Sequence, residues 1–423
     1  MLIEFKVTNF RSIRETQTLS MVASSDKDLE VNTFDTGIAG LPKLVHSAAI
    51  YGPNAAGKSN LIAALGFVEN MVRDSAREAQ VGEPIEIQPF RLSAPNRSQD
   101  SEFELHFIAE GVRYQYGFTL NSERITSEWL FAYPSGSAQR WFQRRCDVTT
   151  NKDVYKFSDF FDEGKARQER ANYTIANNLY LSVAVQKNSQ KLLPAFTWFQ
   201  KKLQIIPSMN HIGAGNTSNL CLEPEGKSKI LTYMNAAGIS VKDFSIDKKI
   251  FSQDDFPQGF PEELKSRLLK DGVARFDTVF FLYQENDSNN LVSFDLEDES
   301  DGTRALFAFA SHWVEMLENN EVLFIDEIDS SLHPLLVHHL VKLLNCSTSK
   351  AQLIFTTHDT TLLSQQSLRP DQVWFVEKDK QQSTQLYSLS QLSPRKGEAI
   401  EKRYLSGRYG AIPFLSELDF YGG

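Results

Sequence analysis

The chain has 423 residues, 41% of them hydrophobic, and a formal net charge of −10 at pH 7. That length suits two or three domains with ordinary cores, and the acidic balance argues against a general affinity for nucleic acid while leaving room for a local basic strip. Cys146, Cys221 and Cys346 lie far apart in no metal-ligand spacing, so reduced thiols in a cytosolic protein are expected.

The opening MLIEFKVTNFRSIRE alternates apolar and polar residues as a strand does and is no signal peptide, and no apolar run is long enough to cross a bilayer. A soluble, cytoplasmic protein with no membrane partner is expected. Residues 48–65, AAIYGPNAAGKSNLIAAL, read as the end of a buried strand, a loop, and a helix with Leu61, Ile62 and Leu65 at helical spacing. The loop Gly52, Pro53, Asn54, Ala55, Ala56, Gly57, Lys58 and Ser59, continuing into Asn60, has the spacing of a P-loop. Its backbone N–H groups and the positive end of the helix dipole point at phosphates. Lys58 reaches the β- and γ-phosphates, and the Ser59 hydroxyl binds magnesium. ATP and Mg2+ are the cofactors this implies.

FELHFIAEG and VRYQYGFTL then read as an antiparallel pair joined near Gly111, so residues 1–150 form a mixed α/β lobe carrying the P-loop. Residues 151–285 are more polar, with the amphipathic stretch LLPAFTWFQKKLQIIP and turn-rich NHIGAGNTSN, and are expected to be a mostly helical insertion for partner binding or dimerisation. Residues 286–423 return to strand-helix alternation. TVFFLYQENDSNNLVSFDLEDE, just before and into this lobe, reads as two strands.

The last lobe carries more chemistry. EVLFIDEIDSSLHP holds an apolar strand, Val322 to Ile325, ending in Asp326 and Glu327. At the carboxyl end of a parallel strand these acids face the ligand crevice, where Asp326 can bind the magnesium and Glu327 can act as general base on the attacking water. In QLIFTTHD, His358 follows a second buried strand and can hydrogen-bond a γ-phosphate or the water. ESDGTRALFAFASHW places Ser300 and Gly302 at the start of a helix, a second anion site. Two phosphate sites on one chain make sense if the second closes over a nucleotide held by another subunit, which predicts a homodimer or higher homo-oligomer.

This order of motifs resembles the ATP-binding-cassette superfamily and, within it, heads of the SMC and RecF kind: an α/β P-loop NTPase with a mostly helical insertion. The resemblance makes Gly52 to Ser59 the Walker A loop, Ser300 to Thr303 the signature, Asp326 and Glu327 the Walker B acids, Ser330 to Pro334 the D-loop and His358 the switch histidine. It also implies a Q-loop, for which Gln88 in IEIQPFRLS is the candidate, as a nucleotide and metal contact. Asp301 stands where the signature has a second glycine. LIEFKVTNFRSIRE, YGPNAAGKSNL, FIDEIDSSLHP and EKRYLSGRYGAIPFL together are similar to bacterial OLD/RloA-like AAA ATPases, which implies a place in anti-phage defence or toxin-antitoxin-like loci beside a separately encoded effector, often a nuclease. Residues 359–423 must finish the head's own sheet and leave no room for a Toprim nuclease domain. A RecF-like protein acting directly on DNA is the alternative, with RWFQRRC and WFQKK as its basic clusters. A transporter subunit fits the signature poorly, and NKDV at 151–154 lacks the last acid of a guanine-reading motif.

Overall fold

The run Ser47–Tyr51 is buried at every position, and so are Val322–Ile325 and Gln352–Thr356. Strands with no polar face belong inside a parallel sheet covered on both sides. In this computed structural model they lie together in a six-stranded sheet, in the order Leu203–Ile206, Val322–Ile325, Gln352–Thr356, Ser47–Tyr51, Val373–Lys378, Thr384–Ser388. Every neighbouring pair is parallel except the last. The structure describes residues 1–252, 255–256, 260–262, 264–265, 269, 273–364 and 367–413.

The chain divides into two units. The first comprises Met1–Ser208, Met316–Asp329 and Leu340–Gly423, and the second Met209–Glu315 and Ser330–His339. Besides the parallel sheet, the first unit has a seven-stranded antiparallel sheet, ordered Lys152–Phe157, Gln139–Asp147, Ile125–Tyr133, Val112–Leu120, Ser101–Ala109, Leu2–Thr8, Gln17–Ser20. Its strands alternate, so one face is apolar. Phe103, Leu105, Phe107, Tyr116, Phe118 and Leu130 from that face join Leu61, Leu65, Val68 and Val72 of the helix Lys58–Glu78 in one core. The expected pairing near Gly111 is present: Ser101–Ala109 and Val112–Leu120 are joined by Glu110 and Gly111, both at positive φ, the conformation a two-residue hairpin turn requires.

The region expected as a mostly helical insertion from residue 151 is divided differently. Lys152–Phe157 is the edge of the antiparallel sheet, and the amphipathic stretch after Leu192 is a short helix, Leu193–Thr197, that runs on into the parallel strand Leu203–Ile206. The second unit therefore starts at Met209. It has helices Gly215–Leu220 and Pro224–Ala236, but also a three-stranded antiparallel sheet, Asp243–Ser252, Val273–Gln284 and Leu291–Asp295. Short apolar runs fit a buried helix or a strand equally well in sequence, and the pairing partner decides between them. Phe244, Phe281 and Phe307 hold this unit together, with ring centroids 5.0–5.2 Å apart.

The ending EKRYLSGRYGAIPFL packs on the parallel sheet, apart from Phe414 and Leu415, which lie outside the described residues. Tyr404 stacks on Phe375 at 5.2 Å and meets Tyr51, the last residue of the P-loop strand, at 5.8 Å. Its hydroxyl donates to Ala411 O (2.9 Å), and Ala411 N donates to Glu377 Oε2 (2.8 Å). Tyr404→Ala removes a nearly buried ring and should cost about 3 kcal/mol. A clear drop in the urea midpoint at unchanged slope is expected, and an unchanged midpoint would show that this segment adds nothing to the head.

Candidate nucleotide site

The parallel order brings the carboxyl ends of three central strands together. From Ser47–Tyr51 the chain enters the loop and then the helix Lys58–Glu78, whose N-terminus opens at Gly57. Two glycines are there for want of space. A Cβ on Gly52 would lie 2.2 Å from Val376 O, and one on Gly57 would lie 2.1 Å from Thr384 Oγ1, with Gly57 at φ +113°. Asn54, Ala55 and Ser59 are exposed at the loop's open side, while Ala56 and Lys58 are buried. Ala55 takes a φ of +62°, a conformation costing about 1–3 kcal/mol that persists only where its surroundings impose it.

Lys58 Nζ is the centre of the charged groups. It donates to Gly52 O (2.8 Å) and Pro53 O (3.3 Å) and lies 3.1 Å from His358 Nε2. Burial lowers the pKa of this ammonium, against the opposing pull of Asp326, Glu327 and Asp329. Asp326, nearly buried, accepts from Thr356 Oγ1, and that same oxygen accepts from Glu327 N (2.7 Å). Glu327 is left at φ +51° with its side chain exposed. His358 N donates to Asp329 Oδ2 (3.2 Å). Desolvation and then the Lys58 charge lower the His358 pKa below 6.5, so the imidazole is neutral at pH 7 and can accept at Nε2.

Ser59, Gln88 and Asp326 line one cleft of the first unit together with Phe10, Arg11 and Arg91. Hard oxygen donors, few in number and open to water, suit magnesium, which keeps several waters and takes one or two carboxylates plus phosphate oxygens. Asn60 Nδ2 donates to Ser12 Oγ (2.7 Å), Ser12 Oγ lies 2.8 Å from Thr384 Oγ1, and Thr384 Oγ1 donates to Ala56 O (2.8 Å). Arg11 N donates to Gln88 O (2.7 Å). Arg11, Ser12, Thr356 and Thr384 are thus parts of the site that sequence reasoning missed. Arg11 and Ser12 had one visible signal, the polar NFRS closing an apolar strand, and Thr356 and Thr384 had none.

In the second unit, Ser300 caps the helix Asp301–Asn319: its Oγ accepts from Thr303 N (3.2 Å) and lies 2.9 Å from Thr303 Oγ1. Gly302 faces Ser331 O, which a Cβ would approach to 3.3 Å. Ser300, Gly302, Ser331, Leu332 and His333 line a single cavity, so the segments expected to be the signature and the D-loop meet within this unit.

A P-loop at the carboxyl edge of a parallel sheet, with a histidine after the neighbouring strand and paired acids after the strand beyond that, defines an α/β P-loop nucleoside triphosphatase fold. Residues 47–181 and 215–364 match the family described as "AAA domain, putative AbiEii toxin, Type IV TA system", and the chain belongs to that family. Over 133 residues it is 31% identical to Septu protein PtuA of Bacillus mycoides (strain KBAB4), a match covering 29% of this chain and 18% of that protein. Among solved structures it is similar to the SMC head domain from Thermotoga maritima (12% identity, TM-score 0.41, 92% of this chain and 98% of that one). It is also similar to a Pyrococcus furiosus Smc head bound to the C-terminal domain of ScpA (12% identity, TM-score 0.40, 92% and 96%). No helix among the described residues is long and apolar enough to cross a membrane.

Gly57→Ala should lower the melting temperature and weaken nucleotide binding at least about tenfold, because the added methyl meets Thr384 in a backbone conformation that alanine resists. Nucleotide titration and a thermal melt test this, and wild-type values for both would contradict the geometry. His358 should titrate below 6.5, and Lys58→Met should raise its midpoint by removing the neighbouring charge. Since the unfolded imidazole takes up its proton first as pH falls, the folded state loses stability on acidification below 6.5. An NMR midpoint at or above 6.5 would exclude the described contact.

Proposed function

We propose that this protein is an ATP-switched regulatory ATPase of a bacterial defence or toxin-antitoxin-like system, acting on a separately encoded effector of nuclease type. The observation that carries the ATPase reading is the convergence of Lys58, Asp326 and His358 on adjacent strand ends, with Glu327 next to the same cleft. Lys58 binds the β- and γ-phosphates, Glu327 takes the proton of the attacking water, and neutral His358 accepts a hydrogen bond from that water or from a protonated phosphate oxygen. Ser59, Asp326 and Gln88 would hold magnesium, which would supply neutralising charge at the phosphate oxygens. Ser300 and Gly302 contact the nucleotide of a second copy, so two chains pair around ATP.

The family's description and the kinship with a Septu protein support the defence setting. The matched span is 18% of that relative, so the effector and its control are this proposal's own content. The second unit offers the effector a surface: the edge strand Leu291–Asp295 exposes Leu291, Val292 and Phe294. Exposed apolar edges are pairing templates.

Lys58→Ala should abolish nucleotide binding, because it deletes the main fixed cation aimed at the phosphates. Glu327→Gln keeps the size of the side chain but removes the proton acceptor. It should bind ATP normally, turn over about 10²- to 10⁴-fold more slowly and accumulate as an ATP-dependent pair. Phosphate release and light scattering with and without ATP decide between outcomes: retained turnover, or an association state indifferent to ATP, sinks the reading. The purified chain alone should not cut DNA or RNA with magnesium or manganese. Cleavage that survives Lys58→Ala and follows this polypeptide through purification would make it the nuclease.

A further inference from the structure

The antiparallel sheet turns its apolar face to the core and, among the described residues, leaves the other face open over the strands Val112–Leu120, Ile125–Tyr133, Gln139–Asp147 and Lys152–Phe157. Arg140, Arg145, Lys152 and Lys156 are exposed there, and Arg113 is half-buried beside them. None of these five cations is in an ion pair among the described residues. The strands alternate, and these four present one carboxylate on that face, Asp147 at its far edge opposite Lys152, while the adjoining strand Ser101–Ala109 adds Glu102 and Glu104 on the other side. In a chain of net charge −10 this is a local positive field against the overall sign.

Aromatic rings interleave with the cations. Trp129, Phe131 and Tyr133 occupy successive outward positions of one strand, with Arg113 opposite Tyr133 and Arg140 opposite Phe131. The Arg113 guanidinium lies 4.4 Å from the centroid of the Tyr133 ring. Trp129 is fixed across Gly117, where any Cβ would come within 2.5 Å of its Cζ2. The indole N–H donates to Glu104 Oε2 (2.9 Å), and Gln115 Nε2 donates to the same oxygen (2.8 Å). Gln115 Oε1 accepts in turn from the Tyr133 hydroxyl (3.1 Å). Although burial opposes it, hydrogen bonds from His106, Gln115 and Trp129 hold the Glu104 carboxyl at a pKa of about 2, so it stays ionised and the array keeps its acceptor. The Trp129 and Tyr133 rings are therefore positioned before any ligand arrives.

We propose that this sheet face binds single-stranded nucleic acid, with bases on Trp129, Phe131 and Tyr133 and phosphates on the surrounding arginines and lysines. Stacking platforms combined with unpaired cations are the chemistry of single-strand recognition, because every unpaired base offers a π-face that a duplex hides within its own stack. Most surface cations of this size are simply solvated, but those have no fixed aromatic row between them. The site is separate from the nucleotide site. It supplies a trigger for the regulator proposed above, yet stands whether or not that reading does, because its test uses no ATP.

Fluorescence anisotropy with a labelled thymidine oligonucleotide, a uridine oligonucleotide and a duplex of equal length, on the full chain without nucleotide, measures the site directly. Both single strands should bind more tightly than the duplex, with the logarithm of the affinity falling by about 0.7 per neutralised phosphate for each decade of salt. Arg140→Glu with Arg145→Glu should weaken single-strand binding at least about tenfold and flatten that slope, while the Arg140→Lys, Arg145→Lys pair retains binding. The charge-reversed protein should keep the basal ATP turnover of the wild type, since neither residue touches the nucleotide cleft. Quenching of tryptophan fluorescence on binding should disappear in Trp129→Phe. Affinity unchanged by charge reversal, equal loss in the lysine pair, a preference for duplex, or quenching that persists in Trp129→Phe would each overturn the assignment.

Discussion

The Lys58 ammonium is the constraint on which the rest of the head depends. A cation in the buried mouth of a loop must be met by oxygen, and here the Gly52 and Pro53 carbonyls meet it with no carboxylate in direct contact among the described residues. Asp326, Glu327 and Asp329 act on it from a distance, opposing the lowering of its pKa by desolvation. An ammonium satisfied by neutral acceptors keeps a strong affinity for anions, since no ion pair must be broken before a phosphate approaches. The neutral imidazole of His358 completes the arrangement as an acceptor that adds no like charge.

Holding that loop still takes both ends of the chain. Ser12, from the turn after the first strand, and Thr384, from the last strand of the parallel sheet, meet each other and clamp Ala56 and Asn60 on either side of Lys58. Glycine at position 57 is what lets Thr384 come so close. Thr356 has the matching role across the cleft, where a single hydroxyl joins the Asp326 carboxylate to the backbone of Glu327 and fixes that residue in its left-handed conformation. Positioning by short hydroxyl side chains is rigid, because a side chain with one rotatable heavy-atom bond has few rotamers to lose.

The antiparallel lobe has its own buried anchor. Glu128, fully buried, accepts from Tyr180 N, Leu181 N and the Tyr116 hydroxyl, while Arg144 joins it to Asp153. Such a network sets register more than it adds stability, because desolvation offsets most of its Coulomb attraction. Register is what matters on the outer face, where a slip of one residue would turn Trp129, Phe131 and Tyr133 inward and bring Glu128 and Leu130 out.

The P-loop, the acids after Val322–Ile325 and the strand before His358 were legible in the sequence because each is local: a glycine spacing, or an apolar run ending in charge, carries its own physical reason. The hairpin at Gly111 was legible for the same reason. The second unit's boundary was not, since Leu203–Ile206 reads as the end of an amphipathic stretch until Val322–Ile325 pairs with it. Nor were Arg11, Ser12, Thr356 and Thr384, polar residues of ordinary type whose meaning comes from what lies beside them. The sequence by itself determined which groups carry charge and which runs must be buried. Only the tertiary structure decided which of them meet, because strand order and register are set by pairing between segments hundreds of residues apart.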